Sequence, residues 1–160
     1  MAREHIYDPD LGYTVFRWYV NAAVLSSYRR FKVIGRENCP KDGSIIDSPN
    51  HANCLMDALV ILRSEHRATC FVARADIFRN PKVAKFLTFL RIMPLMRKRD
   101  GLEEVAKNDE IIENSIQILR HGMPFCIMPE GAHQAKHSML PLGKGIFRIA
   151  LGTLENFDDK

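Results

Sequence analysis

Short apolar runs alternate with helix-like segments along almost the whole chain, and this alternation constrains the fold more than any other feature. "FKVIG" (31–35) and "SIIDS" (44–48) read as strands on either side of a Pro/Gly turn at 40–43. "ANCLMDALVILRSEH" (52–66) follows, with Leu55, Ala58, Leu59 and Leu62 at helical spacing. "ATCFVARADIF" (68–78) is strand-like and leads into "NPKVAKFLTFL" (80–90), where Asn80 offers a cap and Pro81 suits the first turn. "RIMPLMRKRDG" (91–101) is a further strand that ends in a basic cluster and a turn. "LEEVAKNDEIIENSIQILRHG" (102–122) places acids toward its start, Arg120 and His121 at its end and Gly122 as the stop of a helix. The apolar "MPFCIMPEG" (123–131) and the amphipathic "KGIFRIALGTLENF" (144–157) complete the series. Strands alternating with helices predict an α/β fold, a mostly parallel sheet flanked by helices.

With 160 residues, 46% of them hydrophobic and 26% charged, the chain is long and apolar enough for one domain with its own core. No internal repeat or low-complexity linker divides it. The net charge of +4 suits an anionic partner: phosphate, nucleic acid or an acidic membrane surface. Cysteines 39, 54, 70 and 126 include no Cys-x-x-Cys pair, so reduced thiols in a cytosol-facing protein are expected. No secretory signal is expected in "MAREHIYDPD", and no uncharged apolar run reaches the ~18 residues of a spanning helix. "LGYTVFRWYVNAAVLSSYRR" (11–30) joins aromatics to a basic tail, Arg29, Arg30 and Lys32. It reads either as a helix lying in a membrane interface or as an amphipathic helix packed on the domain. Residues 1–32 are therefore separated from a main domain at 33–160.

Parallel sheets place ligands beyond the carboxyl ends of their strands. The segments expected there are "NHANCLMD", "RKRDG" and "PEGAH". A histidine can act as a general base, so His51 is a candidate, and Asp57 can hold its second nitrogen; a capping or solvated pair is the alternative. Arg97 and Arg99, one residue apart on an extended segment, point to one side and can clamp a phosphate, or form a solvated basic edge. Gly131 permits a turn after Pro129 and Glu130 that aims backbone N–H groups at an anion. His133, Lys136, His137 and Lys144 add donors nearby.

The order of these three motifs, NH…D, I-x-P-L-x-R and PEG, resembles the glycerolipid acyltransferases, the glycerol-phosphate and lysophosphatidic acid acyltransferase family. The resemblance runs from about Val33 to Phe157 and includes "VARADIFRNP" and "LPLGKGIFRIA". It implies a glycerol-3-phosphate acyltransferase-like fold and transfer of a fatty acyl group from acyl-CoA or acyl-carrier protein to a hydroxyl of glycerol phosphate, lysophosphatidic acid or a related lyso-lipid. His51 and Asp57 would be the catalytic pair. Arg97 would contact the substrate phosphate, Glu130 and Gly131 match the third motif, and Arg74 falls where many members carry a lysine. It also implies a membrane surface as partner, with a peripheral or monotopic location on its cytoplasmic side, and no cofactor besides the thioester co-substrate.

This chain departs from the commonest family pattern in three places. Five residues, Ala52 to Met56, separate His51 from Asp57 where four are commonest. His133 stands where an arginine is usual, leaving phosphate binding to His133 itself or to Lys144. Members usually continue into a further apolar, Pro-containing motif, so a C-terminally incomplete acyltransferase domain is expected. Rival readings are weaker. His133 and His137 lack the Glu and third ligand of a zinc site, so no metal is expected. "GKG" (143–145) lacks the earlier glycine of a phosphate loop, Ser138 standing there. A non-catalytic membrane- or anion-binding module, or an inactive fragment, is the alternative from another class; no nucleic-acid motif accompanies the basic clusters.

Overall fold

A computed structural model describes residues 5–53, 55–96, 108–131, 138 and 140–155. Four strands form one sheet: β1 (Ile46–Asp47), β2 (Cys70–Arg74), β3 (Ile92–Leu95) and β4 (Phe125–Cys126), in the order β1-β4-β2-β3. All three pairings are parallel. Each crossover is made by a helix: α2 (Leu55–Ser64), α3 (Pro81–Phe89) and α4 (Asn108–Arg120), preceded by α1 (Leu11–Ser27) and followed by α5 (Gly145–Glu155). This is the α/β architecture expected from the alternation.

β4 lies between β1 and β2, which is why its sequence is apolar without alternation. Phe125 and Cys126 are fully buried and join Cys70, Ile118, Leu119, Met123 and Ile149 in the core. Burial pushes the Cys126 thiol well above its ordinary range, helped by Asp47 and Cys70, so it packs as a small hydrophobe. α5 lies on α4 at Gly152, where a Cβ would come within 2.8 Å of the Ile116 side chain. The local signals read in the sequence have their expected form. Asn80 Oδ1 accepts from Lys82 N and Val83 N at the start of α3, and Gly122 ends the turn after α4 with φ 70°.

The strand expected at 31–35 does not form. β1 is an outer strand that pairs only with β4, and residues 31–35 pair with no strand among the described residues. Instead Gly35 adopts φ 78° and Arg36–Asn38 make a short 3₁₀ turn. This brings Arg36 to the end of α2, where it donates to Ser64 O at 2.8 Å. Arg17 on α1 donates to Leu62 O, Glu65 O and His66 O at 2.6–3.3 Å. Two guanidiniums thus satisfy the carbonyls that a helix C-terminus leaves unpaired and complement its negative end.

α1 ends at Ser27 and serves two surfaces. Tyr13 and Phe16 pack edge-on against Phe86 and Phe89 of α3. Leu11, Val15, Trp18 and Tyr19, at i, i+4, i+7 and i+8, are between 61% and 81% exposed. The expected helix is therefore packed on the domain along one face and leaves a second apolar face uncovered among the described residues. No helix of the described residues is long and apolar enough to cross a membrane.

Candidate active site

The loops that leave β1 and β4 meet at the carboxyl end of the sheet. β1 ends at Asp47, and four residues later His51 stands beside the first turn of α2. His51 Nδ1 lies 3.0 Å from Asp57 Oδ2, with both side chains about one-fifth exposed. A carboxylate only accepts, so Nδ1 carries the hydrogen and the basic lone pair is placed on Nε2. The same Oδ2 accepts the Asn53 N–H at 2.8 Å. Asp57 therefore reaches back from α2 to tie down the loop and hold the imidazole together. Capping and orientation, which the sequence posed as alternatives, are done by one oxygen.

Glu130 follows β4. Its Oε1 faces the His51 N–H at 3.4 Å, which links the first and third motifs across 79 positions of chain. Gly131 closes that turn with φ 62°, a conformation that other side chains rarely adopt, and its N–H donates to Met128 O. Gly143 donates to Pro129 O at 2.6 Å, and a Cβ at Gly143 would lie 3.1 Å from that oxygen. The first glycine of "GKG" is thus a close-approach residue. It fastens the exposed Lys144, just ahead of α5, beside the Pro-Glu-Gly turn.

Arg74 ends β2 at the same edge of the sheet. Its Nε donates to Asp76 Oδ1 at 3.0 Å and its NH2 to Asp76 Oδ2, a two-bond fork. The Arg74 hydrogen bonds hold the Asp76 carboxyl below the usual carboxylate range. Arg97, Arg99 and His133 lie outside the described residues, as do Lys136 and His137. Among the described residues, no group of three or more His, Cys, Asp or Glu side chains is placed to hold a metal ion.

Asp47 was not singled out in the sequence, where "IID" reads as strand. One of its carboxylate oxygens is buried and has no hydrogen-bond partner among the described residues. Burial pushes its pKa from 3.8 up to about 6; Glu65 adds to the rise and Arg67 opposes it. Between about pH 4 and pH 6 the folded chain retains a proton here that the unfolded chain has lost. Stability therefore falls as pH rises through that window, and the full penalty remains above it. The shift corresponds to about 3 kcal/mol before screening, and partial solvent access reduces this to about 1–2 kcal/mol. Asp47→Asn is expected to stabilise the fold by that amount near pH 7 and to change little near pH 4, as read by urea unfolding. An equal effect at both pH values would contradict the assignment.

An imidazole held by a carboxylate at the carboxyl end of a parallel sheet has the geometry that a general base needs. The profile of the acyltransferase family matches residues 30–155, and the chain belongs to that family. Among solved structures the chain is similar to the 1-acyl-sn-glycerophosphate (LPA) acyltransferase PlsC from Thermotoga maritima. The two share 25% identity and a TM-score of 0.65, covering 88% of this chain and 53% of PlsC. The chain thus spans about half the length of that protein. No curated protein matches it. The fold and the glycerolipid acyltransferase membership expected from the three motifs both hold.

Proposed function

We propose that the protein transfers a fatty acyl group from an acyl thioester, acyl-CoA or acyl-carrier protein, to a hydroxyl of glycerol phosphate, lysophosphatidic acid or a related lyso-lipid. The observation that carries this reading is the 3.0 Å contact of His51 Nδ1 with Asp57, which leaves Nε2 as the base. The acceptor hydroxyl gives its proton to His51 Nε2 as its oxygen attacks the thioester carbonyl. The tetrahedral oxyanion then collapses, the C–S bond breaks, and the departing thiolate takes the proton from the imidazolium. A thioester already has a good leaving group, so an enzyme nucleophile is not required. Asp57 balances the transient positive charge on the ring. Lys144 beside the Pro-Glu-Gly turn is a cation for the acceptor phosphate, a role shared in this proposal with Arg74, Arg97, Arg99 and His133.

The long-chain acyl donor is an amphiphile, and so is a lyso-lipid acceptor. The uncovered face of α1, with Trp18 and Tyr19, supports a location in the interface on the cytoplasmic side of a membrane, continued by the half-exposed Val83 and Phe86 of α3. Residues 1–32 then dock the acyltransferase domain onto its substrate-bearing surface.

The acceptor class is tested by incubating the protein with a long-chain acyl-CoA or acyl-carrier protein and a panel of glycerol 3-phosphate, lysophosphatidic acid and glycerol. Acylated product, measured by mass spectrometry, is expected with the phosphate-bearing acceptors and in much lower yield with glycerol. Equal acylation of glycerol would remove the phosphate site from the reading. Hydrolysis of the thioester alone would remove acyl transfer.

A further inference from the structure

A cavity lined by three arginines lies at the opposite end of the sheet from His51. It encloses about 510 Å³ between α1, the segment leading into it, and the loops that enter β2, β3 and β4. Arg67 comes from the entry to β2, Arg91 from the entry to β3, and Arg17, Asn21 and Trp18 from α1, with Tyr7 opposite. The two ends of β2 are about 13 Å apart at 3.3 Å per residue, so this cavity and the His51 site are separate.

Its cations are held in place by backbone rather than by acids. Arg67 NH1 donates to Gly43 O and Gly122 O, each at 2.7 Å, and Arg17 donates to the three carbonyls at the end of α2. Neither arginine meets a carboxylate in an ion pair among the described residues. Arg67 NH2, Arg17 Nε and Asn21 Oδ1 are buried and have no hydrogen-bond partner there. Asp10 is the acid among the lining residues, and its Oδ1 is turned to the start of α1, where it accepts from Tyr13 N. Buried donors without acceptors are costly, and a small shift of either guanidinium toward the cavity would give them the acceptors of an anion there. Rotation of the Asn21 amide turns its NH2 toward the same space.

We infer that this cavity binds a phosphate group, with Arg67 and Arg17 as its cationic contacts and Asn21 as a further donor. The inference does not depend on acyl transfer and places a second anion site behind the sheet. Trp18 stands at its rim, 74% exposed on the uncovered face of α1, so a phospholipid headgroup and a soluble phosphate ester are both able to reach it. The shared chemistry is a phosphate monoester or inorganic phosphate.

The chain contains one tryptophan, and it lines this cavity, so its fluorescence reports occupancy. Inorganic phosphate titrated at constant ionic strength is expected to change Trp18 emission saturably, where potassium chloride does not. Arg67→Gln is expected to weaken that response about tenfold, the loss of a charge-assisted contact. Asn21→Leu, which removes no bond holding the fold, is expected to weaken it as well and decides the question if Arg67→Gln does not fold. His51→Ala and Lys144→Ala are expected to leave it unchanged. Tighter binding of a short-chain phosphatidic acid than of glycerol 3-phosphate identifies a lipid source, and equal binding a soluble one. No saturable change, a change unaffected by Asn21→Leu, or one lost in Lys144→Ala would overturn the assignment.

Discussion

Asp57→Asn is expected to lower the turnover of acyl transfer by about 10²–10⁴-fold, the range spanned by base catalysis, with little change in KM for either substrate. Asp57 Oδ2 receives two hydrogens, from His51 Nδ1 and from Asn53 N. An asparagine whose carbonyl takes the Oδ2 place keeps both bonds but loses the charge that balances the imidazolium. If the NH2 faces the ring, Nδ1 must become the acceptor, and the lone pair moves off Nε2. The loss falls on turnover because Asp57 is a positioning residue that acts through His51. An equal loss in KM, or unfolding at room temperature, would show that Asp57 matters only for the loop. Measuring kcat and KM separately, with circular dichroism of the same samples, distinguishes these outcomes.

The largest effect on stability is expected at Arg91. It is 3% exposed and sits with φ 61°, the single non-glycine with positive φ among the described residues. Its guanidinium donates to Ile6 O at 2.8 Å, Asp8 O at 2.7 Å and the Met123 sulfur at 3.5 Å, and lies 4.7 Å from the centre of the Tyr13 ring. These contacts fasten the segment before α1 to the entry of β3. Arg91→Ala removes all of them and keeps the unfavourable backbone, a loss of about 3–4 kcal/mol. For a domain of this size that is about a 10 °C fall in melting temperature. Arg91→Gly removes the same contacts but relieves the left-handed backbone by about 1 kcal/mol. It should therefore melt higher than Arg91→Ala, although alanine is ordinarily the more stabilising residue. The reverse order, measured by thermal melts of both variants, would show that the backbone at this position carries no strain.

The parts of this molecule legible in the sequence are those set by short-range pattern. The apolar runs at 70–74, 92–95 and 125–126 and the helical spacing between them give the parallel sheet, because a strand buried on both faces must be apolar throughout. Asn80 and Gly122 mark helix ends through bonds to their own neighbours. The His51–Asp57 contact spans six residues and belongs to the same class. What sequence reading missed depends on distant partners. "FKVIG" has the composition of a strand but pairs with none among the described residues, and Gly35 turns the chain into the 3₁₀ segment instead. The sequence places the His51 and Glu130 segments at one end of the sheet, but the contact between them requires β1 and β4 to be neighbours. The partner of the close-packed Gly143, Pro129 O, is likewise set by the fold. Asp47 sits in an apolar-looking strand, and its raised pKa arises from burial that the sheet imposes. Arg17, Arg67 and Arg91 are scattered in the chain and converge because all the strands enter the sheet from one side.

The central claim is that His51 acts as the base for direct attack of an acceptor hydroxyl on a thioester. The most direct measurement is free-thiol release from a long-chain acyl-CoA, with and without lysophosphatidic acid, by the protein and by its His51→Ala variant. The account predicts release that depends on the acceptor in the parent protein and falls by about 10²–10⁴-fold in a folded His51→Ala variant. Release that persists in His51→Ala, or a stoichiometric burst of thiol without acceptor that marks an acyl-enzyme, would contradict it.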